Sequence, residues 1–584
     1  MEFEQKAEEK KMSMNKNIAR LAVTAGLTAA LSFGGVMAPA TMAFATTLNN
    51  RITIKQNAEN TDATNPNRKT QFVAYQIFNA KVVDGTSASD KVVSDVAWAE
   101  NVTEPTQASI INAIKQSAGY DSSKSKLPED KTPTAQDVAD WMADNLQDAS
   151  WVVNNGDLLD TIADLVKGTT PAMPRGASSA AFAADDTSIS FKNSGYYLFL
   201  TDDSSIGTKD SYSELRQTGT SPIFAVIGGS AVEVTEKTGI PTVTKKIKDD
   251  KSGAGWADKA DSQVGQNVKY QLTGTVAENV ASFDSYYYEF RDELSAGLTV
   301  TDASIKVFAG SDRASAVEIT SGFTPEVKNA ENGAGQTLTV KFDNLKLAVA
   351  NLSSSTKIFV EYTAQLDPNK AVVGGEGNEN TVKLIYSNNP MSDGKGESVP
   401  DTVRDYTYAL KLVKGDSADE TAKLSGVKFT IQATGADEGD GTKFVQEDGS
   451  LGADSYEFTT DRNGEINIKG LDAGTYTVEE THTLDGYNTL PKFTFTITAD
   501  GLGNDEGNNN LSVSATKNGS DLVMKPSVDN GTVTLTVKNK KGSGLPLTGL
   551  NGVTFTWIAG GAVLCIGVAH LIRSRKQAEE SEQE

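Results

Sequence analysis

Three polar residues in the last third of the chain sit at the ends of alternating apolar rows. In an extended strand, residues two apart share a face. Leu410, Leu412 and Lys414 line one such face, Val533, Leu535, Val537 and Asn539 another, and Tyr476, Val478 and Glu480 a third. An amine, a carboxamide and a carboxyl group in one core are each costly unless they satisfy one another. Alternation is equally compatible with three exposed, unrelated strand ends. The pattern recurs upstream. Val243, Lys245 and Ile247 share a face, as do Asn380, Val382, Leu384 and Tyr386. Tyr288, Phe290, Asp292 and Leu294 offer an inward acid, with Lys246 and Glu293 as near rivals of Lys245 and Asp292.

Other chemistry is removed by composition. The 584 residues include two histidines (His482 and His570) and one cysteine (Cys565). A His/Cys zinc site needs three or four clustered ligands, so no metal is expected. A Ser-His or Cys-His pair lacks a usable partner, an intrachain disulfide is impossible, and no cofactor is called for. Asp and Glu number 77 against 54 Lys and Arg, a net charge of −23. Such acidity argues against nucleic acid or anionic lipid as a partner. These counts lean away from a conventional enzyme.

The ends of the chain set the compartment. Residues 14–45 carry Lys16 and Arg20, an apolar core from Leu21 to Met37, and Ala43-Phe44-Ala45, the plan of a cleaved secretory signal. Either Met1 or Met14 can be the start, and the mature chain begins near Thr46. Near the other end Leu545-Pro546-Leu547-Thr548-Gly549 precedes an apolar run from Val553 to Ile572 and a basic Arg573-Ser574-Arg575-Lys576. Roughly twenty apolar residues can cross a bilayer, with a basic cluster holding the far end in the cytoplasm. The five residues before the span resemble the LPXTG sorting signal of Gram-positive surface proteins. The resemblance implies that a sortase cleaves Thr548–Gly549 and leaves the span and residues 573–584 behind. Residues 1–45 hold five basic and four acidic side chains and residues 549–584 three and four, so the intervening part still carries −23.

Between the ends the chain reads as mainly β, in three parts. Residues 46–237 begin and end with strand-like alternation (Arg51–Lys55, Gln71–Phe78, Gly195–Leu200, Pro222–Ile227). They enclose a helical insert, with Thr134 and Asp137 as a capping start and a second helix over Leu158–Val166. Trp98, Trp141 and Trp151 read as core. Residues 240–395 and 402–541 alternate short strands and turns, the pattern of β-sandwiches, with a linker from Ser387 to Pro400.

Gly474-Thr-Tyr-Thr-Val-Glu-Glu480-Thr-His-Thr-Leu-Asp-Gly-Tyr487 resembles the YxLxETxAPxGY E-box of Gram-positive pilins, with Thr483-Leu484 in place of Ala-Pro. Leu424–Phe429 and Thr460–Gly464 are similar to the LxGAxF strand and TDxxG turn of their CnaB-type domains. Tyr286–Leu298 and Asn380–Pro390 resemble the isopeptide-forming D2 domain of fimbrial major subunits. The fold this implies is tandem Ig-like (CnaA/CnaB-type) sandwiches, an N-terminal domain with a helical insert, and a C-terminal transmembrane helix. The chemistry it implies is a self-formed Lys414–Asn539 bond with Glu480 as the acid, and a Lys245–Asn380 bond with Asp292. Burial disfavours an ammonium and can expose a neutral amine, and folding supplies the proximity. No such triad stands out in the first domain.

Val232-Glu-Val-Thr-Glu-Lys237-Thr-Gly-Ile-Pro241 looks like the pilin motif VYPK, with Thr235-Glu236 replacing Tyr-Pro. Lys237 is then the acceptor for the Thr548 acyl group of another subunit. The implied partners are pilus-specific and housekeeping sortases, identical subunits joined head to tail, ancillary pilins and peptidoglycan. The competing reading is a monomeric wall-anchored adhesin that binds a host glycan or matrix protein.

Overall fold

The computed structural model describes residues 50–542, apart from residues 61–68, 86–90, 122–126, 147–152, 173, 176–180, 187–188, 207–216, 250, 252, 301–303, 435–442 and 504–511. The signal segment, the LPLTG motif, the apolar run and Trp151 lie outside the described residues. Among the described residues no helix is long and apolar enough to cross a membrane.

The N-terminal sheet runs in the order Lys91–Trp98, Gln71–Asp84, Gly195–Thr201, Ile223–Ile227, with Ala181–Ala183 added beside Gln71–Asp84. Gly195–Thr201 is buried on both faces, and alternation sends its side chains to two cores. Tyr196 and Leu198 meet the helices Glu104–Gln116, Ala135–Asn145 and Leu158–Lys167 through Ile114, Trp141, Ile162 and Val166. Tyr197 and Phe199 face Ile52, Ile54 and Val234 of a separate parallel pair, Ile52–Lys55 with Val232–Thr235. The expected capping start is present. Asp137 N–H donates to Thr134 Oγ1 (3.2 Å) and Thr134 N–H to Asp137 Oδ2 (2.8 Å). The helix Glu104–Gln116 was not foreseen, although Thr103, Pro105 and the spacing of Ile110, Ile111 and Ile114 mark its start and inner face. Trp141 is core, while Trp98 is half-buried against Phe78.

The middle domain is two facing sheets. One is ordered Trp256–Ala257, Val243–Lys248, Val268–Thr275, Lys357–Leu366, Lys306–Gly310, Val317–Ile319. The other is ordered Lys259–Asp261, Asp401–Tyr406, Asn378–Ser387, Tyr288–Ser295, Gly335–Phe342, Thr324–Asn329. Tyr270, Tyr288, Phe290, Val340, Val360 and Leu384 fill the space between them.

The boundary differs from the expected one. Residues 387–400 are not a free linker: Lys395–Glu397 folds back on Ile385–Ser387, and Asp401–Tyr406 returns as a strand beside Asn378–Val382. The Ser, Asn and Gly that read as linker composition are instead hydrogen-bonded. Asn388 O accepts from Gly219 N–H (2.5 Å), and Asn389 Nδ2 donates to Asp203 Oδ1 (2.6 Å). The middle sheet therefore runs to Tyr406, and the next domain opens at Tyr408.

The C-terminal domain pairs a four-stranded sheet (Glu465–Leu471, Tyr408–Asp416, Thr532–Asn539, Ser527–Asp529) with a larger sheet centred on Lys428–Ala433, Gly474–His482 and Phe493–Asp500. Its first and last strands run parallel and adjacent, Lys414 opposite Val537 and Asp416 opposite Asn539. The middle domain reaches into it through Gln263, whose Oε1 accepts from Asp472 N–H (3.1 Å) and Tyr476 OH (3.2 Å).

Candidate functional site

Lys414, Glu480 and Asn539 converge in the C-terminal core, with the Lys414 and Glu480 side chains fully buried and Asn539 equally enclosed. Each arrives at the end of an inward-facing row, as alternation demands. Lys414 Nζ donates to Glu480 Oε2 (2.8 Å) and to Asn539 Oδ1. Asn539 Nδ2 donates to Glu480 Oε1 (2.7 Å) and to Thr483 Oγ1 (2.6 Å). Leu490 N–H adds a bond to Glu480 Oε2 (3.3 Å). The alternative of exposed strand ends does not hold for these residues.

The middle domain gathers Lys245, Asp292 and Asn380, none with solvent exposure. Lys245 Nζ lies 2.5 Å from both oxygens of Asp292 and 3.0 Å from Tyr362 OH. Tyr362 OH donates to Asp292 Oδ2 (2.6 Å) and accepts from Asn380 Nδ2 (2.7 Å). The rivals stand elsewhere. Lys246 pairs with Asp258 in a part-buried bridge, and Glu293 is exposed.

The two clusters differ in topology. In the C-terminal domain the lysine and asparagine belong to adjacent strands of one sheet, and the acid comes from the other. In the middle domain Asp292 and Asn380 share a sheet, on strands paired as Asp292–Val382 and Leu294–Asn380, and Lys245 crosses from the facing one. Tyr362 stacks on Tyr270 (5.3 Å, 13°), and both rings stand 5.4 Å from Lys245 Nζ. Tyr362 is a participant that sequence reasoning missed, since a tyrosine in an apolar strand reads as core.

Burial sets the electrostatics. It pushes the Lys245 amine down to about 8 against the pull of Asp292, and pushes the Asp292 carboxyl up. Both shifts favour a neutral amine beside a protonated acid, the nucleophilic form of a lysine. Burial lowers the Lys414 amine as well. In the C-terminal domain the amine is held against the carboxamide with a carboxyl group touching both, and in the middle domain Tyr362 OH bridges Lys245 and Asp292 to Asn380. Either arrangement can exchange one amide for another and release ammonia.

Lys237 follows the strand Val232–Thr235 and is partly exposed between two buried neighbours, Glu236 and Thr238. The Glu236 carboxylate is held by Thr70 Oγ1, by Asn57 N–H (3.1 Å) and by Asn60 Nδ2 (3.2 Å). Lys237 N–H donates to Thr220 Oγ1 (2.9 Å). Far from lying on a loose tether, this lysine is carried by a pinned extended segment.

Parts of the chain are similar to known proteins. Residues 409–510 match the family described as SpaA, prealbumin-like fold domain. This segment is similar to that family. It contains Lys414 and Glu480 and stops short of Asn539. Over 287 residues the chain is 27% identical to the trypsin-resistant surface T6 protein of Streptococcus pyogenes serotype M6, covering 45% of this chain and 46% of that protein. The chain thus spans about half the length of the curated relative it matches. Among solved structures, the T6 backbone pilin of serotype M6 Streptococcus pyogenes aligns at TM-score 0.45 and 17% identity, over 84% of this chain and 98% of that one. The full-length major pilin SpaD of Corynebacterium diphtheriae aligns at 0.40 and 16%, over 84% and 96%.

Proposed function

We propose that this protein is the backbone subunit of a sortase-assembled, cell-wall-anchored pilus that supports adhesion, and that its shaft is hardened by two self-formed Lys–Asn amide bonds. The observation that carries the reading is the pair of buried lysine–acid–asparagine clusters, one in each of two successive sandwiches. A buried charge pair is poor value for stability alone. It is well suited to a reaction that happens once per molecule and then persists. In each domain the lysine amine attacks the asparagine Cγ, the acid takes up and returns protons, and ammonia leaves. This is maturation, not turnover.

Assembly uses the C-terminal end of the ectodomain and a lysine at the close of its first domain. The Thr548 carbonyl, taken from Gly549 by a sortase acting on Leu545-Pro546-Leu547-Thr548-Gly549, is passed to Lys237 of another subunit. A donor and an acceptor on different surfaces give a heterologous contact, which repeats into an open filament. Transfer to peptidoglycan by a housekeeping sortase ends growth, and ancillary pilins join through the same chemistry.

A Thr548→Ala chain expressed in a Gram-positive host tests the assembly. It is expected to stay in the membrane fraction and to give no ladder of multimers on denaturing gels. Normal polymers from that variant would remove the sorting reading. A single wall-linked species from the unaltered chain would favour the monomeric adhesin.

A further inference from the structure

Both clusters place a hydroxyl group on the same atom, the amide nitrogen of the asparagine. In the C-terminal domain Asn539 Nδ2 donates to Thr483 Oγ1 at 2.6 Å as well as to Glu480, so both of its hydrogens are engaged. In the middle domain Asn380 Nδ2 donates to Tyr362 OH at 2.7 Å. The two hydroxyls come from unrelated places. Thr483 is the first residue past the strand Gly474–His482, where the E-box resemblance expects alanine. Tyr362 lies in the strand Lys357–Leu366 of the sheet opposite Asn380.

We propose that Thr483 and Tyr362 hold the departing nitrogen during amide exchange. This rests on the cross-link reading above. In each domain the Nζ–Cγ bond forms and the Cγ–Nδ2 bond breaks. In the C-terminal domain one proton leaves Nζ, passes through Glu480 and arrives on Nδ2. In the middle domain it passes through Asp292 and then the Tyr362 hydroxyl that stands between Asp292 and Asn380 Nδ2. In both, Nδ2 departs as ammonia. For this the carboxamide must keep its nitrogen toward the group that delivers the proton and its Cγ toward the amine. A carboxamide free to turn over would set its own N–H against the lysine N–H, donor against donor. A hydroxyl oxygen accepting from Nδ2 locks the productive orientation, because it replaces one of the contacts that water would make. Tyr362 does more than Thr483. It donates to Asp292 and lies 3.0 Å from Lys245 Nζ, so it joins all three reacting groups.

The test follows bond formation in newly made chains. The ectodomain, residues 46–548, is translated without cells, quenched in acid at intervals, and weighed intact, and tryptic peptides assign each loss. The unaltered chain is expected to lose two ammonia molecules. Thr483→Ala should slow only the Lys414–Asn539 loss, by about 5–10-fold, the scale of one hydrogen bond. Thr483→Ser should restore it, which a purely packing role for the threonine methyl would not do. Tyr362→Phe keeps the ring and its stacking, and should slow only the Lys245–Asn380 loss by about 10–100-fold. Parental rates in both Thr483→Ala and Tyr362→Phe would overturn the proposal while leaving the cross-links in place. Failure of Thr483→Ser to recover the rate would overturn it for Thr483. An unaltered chain that loses no ammonia would overturn the cross-link reading itself, and this inference with it.

Discussion

Replacing Glu480 with alanine is expected to leave the chain one ammonia heavier than its parent and to lower the melting temperature of the C-terminal domain by about 10–20 °C. Glu480 touches both Lys414 Nζ and Asn539 Nδ2, and no other carboxyl group makes those contacts among the described residues. Without it, the proton on the amine has no route to the leaving nitrogen. The bond it would have formed joins residues 125 apart in sequence. Closing a loop of that length constrains the unfolded chain by about 4–5 kcal/mol, as a long-loop disulfide does. The variant also leaves the Lys414 amine buried without its acid, which adds to the loss. Differential scanning calorimetry beside intact mass separates the two effects. A variant that reacts normally yet melts low would make Glu480 structural only.

The topology gives the bond a mechanical meaning. In a filament of the proposed kind, tension would enter the C-terminal domain at Tyr408 and leave after Asn539. A Lys414–Asn539 bond carries it across two adjacent strands and spares the 124 residues between them, the separation of 125 less one. A Lys245–Asn380 bond would link the first strand of the middle domain to the facing sheet and spare the residues between them, leaving the strand Asp401–Tyr406 beyond the link.

The second large effect concerns polymer growth. Lys237→Ala is expected to abolish the high-mass ladder while leaving secretion and wall attachment intact, because in the proposed assembly attachment needs Thr548 and growth needs the acceptor amine. The buried Glu236 and Thr238 on either side pin the segment to the first domain, so alanine at 237 removes the amine without loosening its support. Immunoblots of wall extracts would read this directly. A persisting ladder, with another lysine at the junction, would move the acceptor site elsewhere.

Much of both clusters was legible because strand period is short and exact. Lys245, Asp292, Asn380, Lys414, Glu480 and Asn539 each continue an apolar row, and each is buried. What alternation cannot say is which sheet a strand joins. That Asn539 lies beside Lys414, whereas Asn380 lies across from Lys245, depends on pairings distant in sequence. Tyr362 and Thr483 were invisible for related reasons. One is an aromatic in a core strand, and the other acquires its role only from the turn that follows His482. The hairpin of 387–400 was misread because Ser, Asn, Gly and Pro serve a tight hydrogen-bonded return as readily as a linker. The signal, the sorting motif and the apolar run lie outside the described residues.

The most direct measurement is the intact mass of the purified ectodomain, residues 46–548, followed by peptide mapping. Cross-linking at both sites predicts a mass two ammonia molecules below that of the sequence, with branched peptides joining Lys245 to Asn380 and Lys414 to Asn539. The unmodified mass, with both lysines free to be acetylated after unfolding, would contradict it.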